Sequence, residues 1–250
     1  MKEQLGEQIS EWIRKKVRAA GAKGVVLGLS GGLDSALASV LCKRAFPNST
    51  LALIMPCHSN SDDAECASLV ADKFNLETKN FDLSNLVENI YETIEDQPYE
   101  NKPSVPVGNL KARLRMLFLY YFANKLNYLV VGTGTRSEIE VGYFTKFGDG
   151  AADLLPLGDL LKNEVRELAR KLKIPKKIID RTPSAGLWKG QTDEEEIGLP
   201  YKELDQILLA IESDNLSGFD EEKVNRVEQL MNNAKHKRQK IPIFKRERSK

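Results

Sequence analysis

Histidine is almost missing from this 250-residue chain, which holds only His58 and His236. A multi-histidine metal centre is therefore excluded. Cysteine is nearly as scarce, standing only at Cys42, Cys57 and Cys66. The count is odd and no CxxC pair occurs, which disfavours a disulfide framework or a zinc cluster and favours a reducing, cytoplasmic setting. No apolar run is long enough for a membrane span, and the N-terminal MKEQLGEQISEWIRKK is charged throughout, without the apolar centre of a signal peptide. Charge of one sign is not in excess either. Lys+Arg number 37 against 36 Asp+Glu, a net of +1, which argues against a broad nucleic-acid surface. Neither a Walker A loop (GxxxxGK[ST]) nor a complete GxGxxG fingerprint is present; Gly132-Thr133-Gly134 begins one, but Ser137 stands where the third glycine belongs.

The remainder is that of a globular protein. A hydrophobic share of 41% can bury a sizeable core, and the length fits one large domain. Leu5, Ile9, Trp12, Ile13, Val17 and Ala20 share one face of an N-terminal helix. Gly24–Leu29 then reads as a strand buried on both faces, and the residues after Ser30-Gly31-Gly32 read as a helix. The alternation continues: a strand over 51–55, a helix over 62–74, a weaker strand over 78–83, a helix over 84–94, a helix over 109–126, a strand over 128–131 and a helix over 159–172. Residues 95–108 and 144–157 read as loops. After Pro175 the pattern changes to short helices, with a capping box at Thr192, amphipathic helices over 201–211 and 221–231, and a basic tail. This order predicts an α/β class with a Rossmann-like, doubly wound parallel sheet, helices on both faces and a helical C-terminal extension.

The segment LGLSGGLDSAL, residues 27–37, carries the most chemistry. A glycine turn between a buried strand and a helix faces a ligand at the carboxyl end of a parallel sheet. Gly31 and Gly32 let the backbone approach an anion, Ser30 and Ser35 add hydroxyls, and the helix start adds free N–H groups and a positive dipole end. That suits a phosphate or pyrophosphate. Asp34 is costly beside an anion unless a cation joins it, and a magnesium ion bridging Asp34 and phosphate oxygens resolves the conflict.

SGGLDS, residues 30–35, resembles the pyrophosphate loop of the N-type ATP pyrophosphatases, which activate a carbonyl by adenylation. KARLRM (111–116), GTGTRSEIEVGYFTKFGDGAADLLPL (132–157), TPSAGLWKGQTDEEEIG (182–198) and HKRQ (236–239) narrow the resemblance to the ammonia-dependent NAD synthetases, over about residues 3–243. The resemblance implies a ligase, a single domain over 1–250 that converts deamido-NAD, ATP and ammonia to NAD, AMP and pyrophosphate with Mg2+. It implies ATP contacts from Gly28, Leu29, Ser30, Gly31, Gly32, Leu33, Asp34, Ser35, Thr133, Lys162 and Ser184. It implies deamido-NAD contacts from Arg113, Lys146, Asp153, His236 and Lys237, and magnesium ligation by Asp34 and Glu138. Ser184 stands where family members often have Thr, and either hydroxyl can donate to a phosphate. Asp34, Asp153 and Lys162 are the implied catalytic groups, with Asp153 a candidate proton acceptor on residue type alone. A homodimer, a mobile segment at 182–198 and a basic tail at 236–250 complete the expectation.

Each of these residues also has a plain reading. Arg113 and Arg115 fit a solvated helix face, Asp149 and Asp153 fit turn formers, Glu138 fits a helix cap, and His236 fits surface charge. Lys162 in a helix's first turn is unfavourable with the dipole, which favours a ligand role. Two rival functions are another pyrophosphatase-loop enzyme acting on tRNA and a non-catalytic ATP-binding module. The first usually needs reactive cysteines or a basic RNA surface; the second needs no Glu138. Only 29 residues precede Ser30, too few for a glutaminase domain, so ammonia is the expected nitrogen source, with neither nucleic acid nor membrane as partner.

Overall fold

The apolar run GVVLG forms strand β1 (Gly24–Gly28) in the computed structural model, which describes residues 2–59 and 61–246. TLALI forms β2 (Thr50–Ile54), ETKN forms β3 (Glu77–Asn80) and YLV forms β4 (Tyr128–Val130). All pair in parallel, in the order β3-β2-β1-β4. The chain steps outward from β1 to β3 and then returns to the other side of β1. Strand order therefore reverses between β1 and β4, and the crevice beyond their carboxyl ends is where such sheets bind ligands.

Alternate residues feed two cores. Val25, Leu27, Ala52 and Ile54 pack with α1 (Lys2–Ala19), α2 (Leu33–Ala45), α3 (Ser61–Phe74) and α7 (Lys162–Lys171). Val26, Leu51 and Leu53 pack with α4 (Ser84–Glu95) and α5 (Val105–Leu126) on the opposite face. Strands covered on both sides need apolar residues at every position, which explains why β1 and β2 read as unbroken runs. A third cluster joins α6 (Arg136–Val141), α9 (Asp193–Ile197), α10 (Tyr201–Glu212) and α11 (Glu221–Asn233) through Val141, Ile197, Leu204, Leu208 and Val227. Of two short helices, α8 (Lys176–Ile179) packs Ile178 and Ile179 into the first core, and α12 (Lys235–Arg238) follows α11.

Several boundaries differ from the sequence expectation. α5 starts at Val105, inside the expected loop, because Pro106 sits in its first turn, where no N–H is needed. β3 ends three residues early; Phe81 and Leu83 still donate to Ile54 and Pro56, but as a lead-in to α4. α7 starts at Lys162 rather than Asp159, since Leu160 N closes a turn on Leu157 O. The last four residues of the expected tail lie outside the described residues.

Candidate active site

β1 delivers the chain into Ser30-Gly31-Gly32 and α2. Gly31 has φ +83°, and a Cβ there would lie 2.3 Å from the Asp63 carbonyl oxygen, so only glycine fits. The two loop serines brace the turn: their Oγ atoms are 3.0 Å apart, Ser30 N donates to Ser35 Oγ at 3.2 Å, and Ser35 Oγ donates to Gly32 O at 3.0 Å. No side chain caps α2 at Gly32. Its first-turn N–H groups have no intrahelical acceptor and are directed, with the dipole, at whatever anion occupies the crevice.

An ion cluster built on a buried lysine lies beside this turn. Lys162 is 2% exposed, and its Nζ donates to Asp34 Oδ2 and to Glu138 Oε1, both at 2.7 Å. The ammonium also sits 4.6 Å from the Tyr201 ring centroid. Glu138 divides its work between oxygens. Oε2 accepts from Thr135 N at 2.8 Å and Thr135 Oγ1 at 2.9 Å, closing the capping box of α6, while Oε1 faces Lys162. The helix-cap reading and the charge-site reading of Glu138 are therefore both correct. Burial opposes the charge of Glu138, but the Lys162 charge and hydrogen bond outweigh it and hold the carboxyl below its ordinary value. For Asp34 burial prevails over the same lysine and raises the carboxyl to about 6. Burial also works against the Lys162 ammonium, yet the two carboxylates hold its pKa above the ordinary value.

The residues fit a divalent cation. Asp34 Oδ1 is buried without a hydrogen-bond partner, and the lysine already shows that a cation is stable between the two carboxylates. Among the described residues no group of three metal-ligating side chains occurs. A pair of carboxylates completed by phosphate and water oxygens is how magnesium is commonly held.

Residues that the sequence did not single out fix this cluster. Tyr201 Oη donates to Asp193 Oδ2 at 3.0 Å and lies 3.2 Å from Glu138 Oε1. Asp205, 3% exposed, accepts from Ser137 Oγ at 2.5 Å and Asn163 N at 3.0 Å. Ser137 Oγ in turn accepts from Lys162 N at 3.0 Å. Asp205 thus ties the helix bearing Glu138 to the helix bearing Lys162. The i, i+4 spacing of Tyr201 and Asp205 on one helix was the available signal, and Thr192 marked the start of α9: its Oγ1 accepts from Glu195 N at 3.3 Å, the N-cap half of the expected capping box.

A second group forms on the C-terminal side. Arg113 donates to Lys146 O at 3.3 Å, Lys146 Nζ to His236 O at 2.8 Å, and Lys237 Nζ to Gly142 O and Phe144 O, both at 2.8 Å. Four of the five expected deamido-NAD contacts are therefore neighbours. Asp153 sits elsewhere: Oδ2 accepts from Val130 N at 2.7 Å and Oδ1 from Tyr120 Oη at 3.4 Å. Thr133 lies just past β4 at the crevice. Ser184 is exposed and its Oγ accepts from Gly186 N at 3.1 Å. The segment bearing it is fastened where Lys111 Nζ donates to Leu187 O at 2.8 Å and where Arg181, just before it, pairs with Asp63 at 2.6 Å.

Comparison with known proteins bears on this site. The NAD synthase family model matches residues 5–241. An NH(3)-dependent NAD(+) synthetase of Carboxydothermus hydrogenoformans is 45% identical over 240 residues, covering 96% of both chains. Among solved structures, an NMN synthetase from Francisella tularensis is similar at TM-score 0.89 and 36% identity, covering 98% of both chains. An NH3-dependent NAD synthetase from Campylobacter jejuni is similar at TM-score 0.84 and 31% identity, covering 98% of this chain and 100% of that one.

Proposed function

The chain belongs to the NAD synthase family, and from that premise we propose that it is an NH3-dependent NAD+ synthetase, a ligase that amidates deamido-NAD at the expense of ATP. The single observation that carries the reading is the Asp34–Lys162–Glu138 cluster beside an uncapped glycine turn. A cap explains one oxygen of Glu138, but a non-catalytic nucleotide module has no use for the other facing Lys162 opposite Asp34.

The chemistry proceeds in two displacements. The nicotinate carboxylate attacks the α-phosphorus of ATP, the α–β bridging P–O bond breaks, and pyrophosphate leaves. Ammonia then attacks the acyl carbon, the C–O bond to AMP breaks, and a proton leaves the new nitrogen. The α2 N-terminus and Ser30–Gly32 hold the departing pyrophosphate. Lys162 moves between its carboxylates and the phosphate charge developing beside them. Asp34 and Glu138 would hold magnesium, which supplies charge neutralisation on the phosphate oxygens. Arg113, Lys146, His236 and Lys237 would take the dinucleotide, and Thr133 and Ser184 the ATP. Asp153 is a candidate acceptor of the ammonium proton on residue type alone, its oxygens being held by Val130 N and Tyr120 Oη. No protein nucleophile is required, and burial raises the thiols of Cys42 and Cys57, which disfavours the thiolate chemistry of sulfur-transferring relatives.

Ammonia as nitrogen source is supported by the 96% mutual coverage with the NH(3)-dependent relative. A homodimer is supported by Leu117 and Tyr121, 58% and 60% exposed four residues apart on α5. α1, in contrast, buries Ile13 and Val17 within its own chain. Light scattering is expected to give a dimer mass, and Leu117→Arg a monomer. Cytoplasmic residence is consistent with three free cysteines, and among the described residues no helix is long and apolar enough to cross a membrane. Segment 182–198 is proposed to close over bound nucleotide; ATP and deamido-NAD together are expected to protect it from protease, and equal cleavage with and without them would refute closure.

A mononucleotide acceptor is the second reading, favoured by the NMN synthetase similarity. The test is a steady-state assay with magnesium, ATP and ammonium, offering deamido-NAD or nicotinate mononucleotide in turn. The proposal expects the higher kcat/KM with the dinucleotide and no turnover with glutamine. A higher value with the mononucleotide favours the second reading.

A further inference from the structure

Two cations on α5 have no ligand-binding role in the site as described. Lys111 is 1% exposed, and its Nζ has a neutral carbonyl, Leu187 O, as its acceptor at 2.8 Å. Arg115, one helical turn further along, is half-buried and donates from Nε to another neutral carbonyl, Met55 O, at 3.1 Å. Neither forms a salt bridge with a carboxylate among the described residues. The two carboxylates that bear on Arg115 are engaged elsewhere: Asp63 pairs with Arg181 at 2.6 Å, and Asp149 Oδ1 accepts from Thr145 N at 2.9 Å. Burial lowers the pKa of both Lys111 and Arg115. An ammonium has three donors and a guanidinium five, so most of their hydrogen-bonding capacity is not met by the described residues.

Their position matters as much as their charge. Met55 directly follows β2 at the carboxyl end of the sheet, and its Cε lies 3.7 Å from where a Cβ on Gly28 would stand, at the start of the glycine turn. Leu187 belongs to the segment that bears Ser184. The two cations therefore sit between the turn and the candidate closing segment, in the crevice to which the fold directs ligands. Desolvating a cation against carbonyls alone is unfavourable, and an incoming anion removes the deficit. Arginine in particular offers a planar fork that matches two phosphate oxygens.

We propose that Lys111 and Arg115 form an anion subsite of this crevice that accepts a phosphate group of a bound nucleotide. The inference rests on the nucleotide chemistry proposed above. Phosphate can arrive on ATP or on the dinucleotide, and the test separates them. Calorimetric titrations of the full chain use α,β-methylene-ATP and, separately, deamido-NAD. The proteins are wild type, Arg115→Met, Arg115→Gln and Lys111→Met, and the thermal midpoint of each unliganded protein is recorded alongside.

The Arg115 variants are expected to bind one of the two nucleotides at least tenfold more weakly, with Lys111→Met weaker by a smaller factor. Their unliganded midpoints are expected to equal or exceed that of wild type, because an uncompensated cation has been removed. Loss confined to the ATP analogue places an ATP phosphate at the subsite; loss confined to deamido-NAD places the dinucleotide's there. Wild-type affinity of all three variants for both ligands would overturn the proposal, as would a lowered unliganded midpoint with unchanged affinities, which marks a purely structural tie. A wild-type chain that binds the ATP analogue but makes no NAD would reject the proposed reaction while leaving the ATP arm of this test intact.

Discussion

Lys162 Nζ stands 2.7 Å from Asp34 Oδ2 and 2.7 Å from Glu138 Oε1, bridging the two carboxylates proposed to hold magnesium. The ammonium holds together two partly buried negative charges that repel one another without it. Lys162→Met leaves them uncompensated. The expected result is a loss of about 3 kcal/mol or more in metal-free stability, a fall in kcat of about a hundredfold or more, and a larger rise in melting temperature on adding magnesium than wild type shows. Differential scanning calorimetry with and without the ion checks this. A variant as stable as wild type would show that the bridge is not structural.

The proton balance at Asp34 gives a pH dependence of defined sign. Burial raises this carboxyl from 3.8 to about 6 in the folded chain, against the pull of Lys162. Between those values the folded state binds more protons than the unfolded state, so this group makes stability fall as pH rises through the window. Relative to Asp34→Asn, metal-free wild type is expected to lose on the order of 1–3 kcal/mol between pH 4 and pH 6.5. Urea unfolding of both proteins measures it, and parallel pH profiles would contradict the assignment.

Asp205 sets the distance between Glu138 and Lys162 without reaching either side chain. It accepts from Ser137 Oγ and Asn163 N, so Asp205→Ala removes both ties and leaves the Lys162 N–Ser137 Oγ bond between the two helix starts. Stability is expected to drop by about 2–4 kcal/mol and kcat to fall with KM for ATP little changed. Asp205→Asn keeps one acceptor oxygen and is expected to recover part of both. Equal losses in kcat and KM, with no recovery by Asn, would indicate general damage.

Gly31 and Gly32 separate strain from space. A methyl at position 31 meets the Asp63 carbonyl at 2.3 Å with φ at +83°, whereas at position 32 the nearest atom is Ser30 Oγ at 3.3 Å. Gly31→Ala is expected to weaken ATP binding by at least tenfold and to lower the melting temperature by several degrees. Gly32→Ala is expected to have a much smaller effect on melting. The reverse order would mean that the turn adopts another conformation when ATP binds.

What was legible in the sequence was what lies close together along it. The unbroken run from Val25 to Leu27 announced a doubly covered strand, and Ser30 to Ser35 announced an anion turn, because both depend on neighbours within a few residues. The expected parallel α/β sheet and helical extension are present. Tyr201, Asp193 and Asp205 were not legible as site residues. Asp205 meets Ser137 across 68 residues of chain, and on the page it is an ordinary acid on an amphipathic helix. Asp193 passed as one member of the helix start at Thr192, yet the fold buries it, with one oxygen left unpartnered. Arg113 and Arg115 looked alike in KARLRM; the structure exposes the first beside Lys146 and half-buries the second against Met55.

The most direct test of the central claim is an isotope-transfer experiment. Deamido-NAD labelled with 18O in its nicotinate carboxylate is incubated with the purified chain, magnesium-ATP and ammonium, and NAD, AMP and pyrophosphate are analysed by mass spectrometry. Equal amounts of all three are expected, dependent on ammonium, with one 18O carried into each AMP and none into pyrophosphate, since the attacking carboxylate oxygen leaves with the adenylyl group. Label in pyrophosphate, unlabelled AMP alongside NAD, or ATP cleavage without NAD would contradict it.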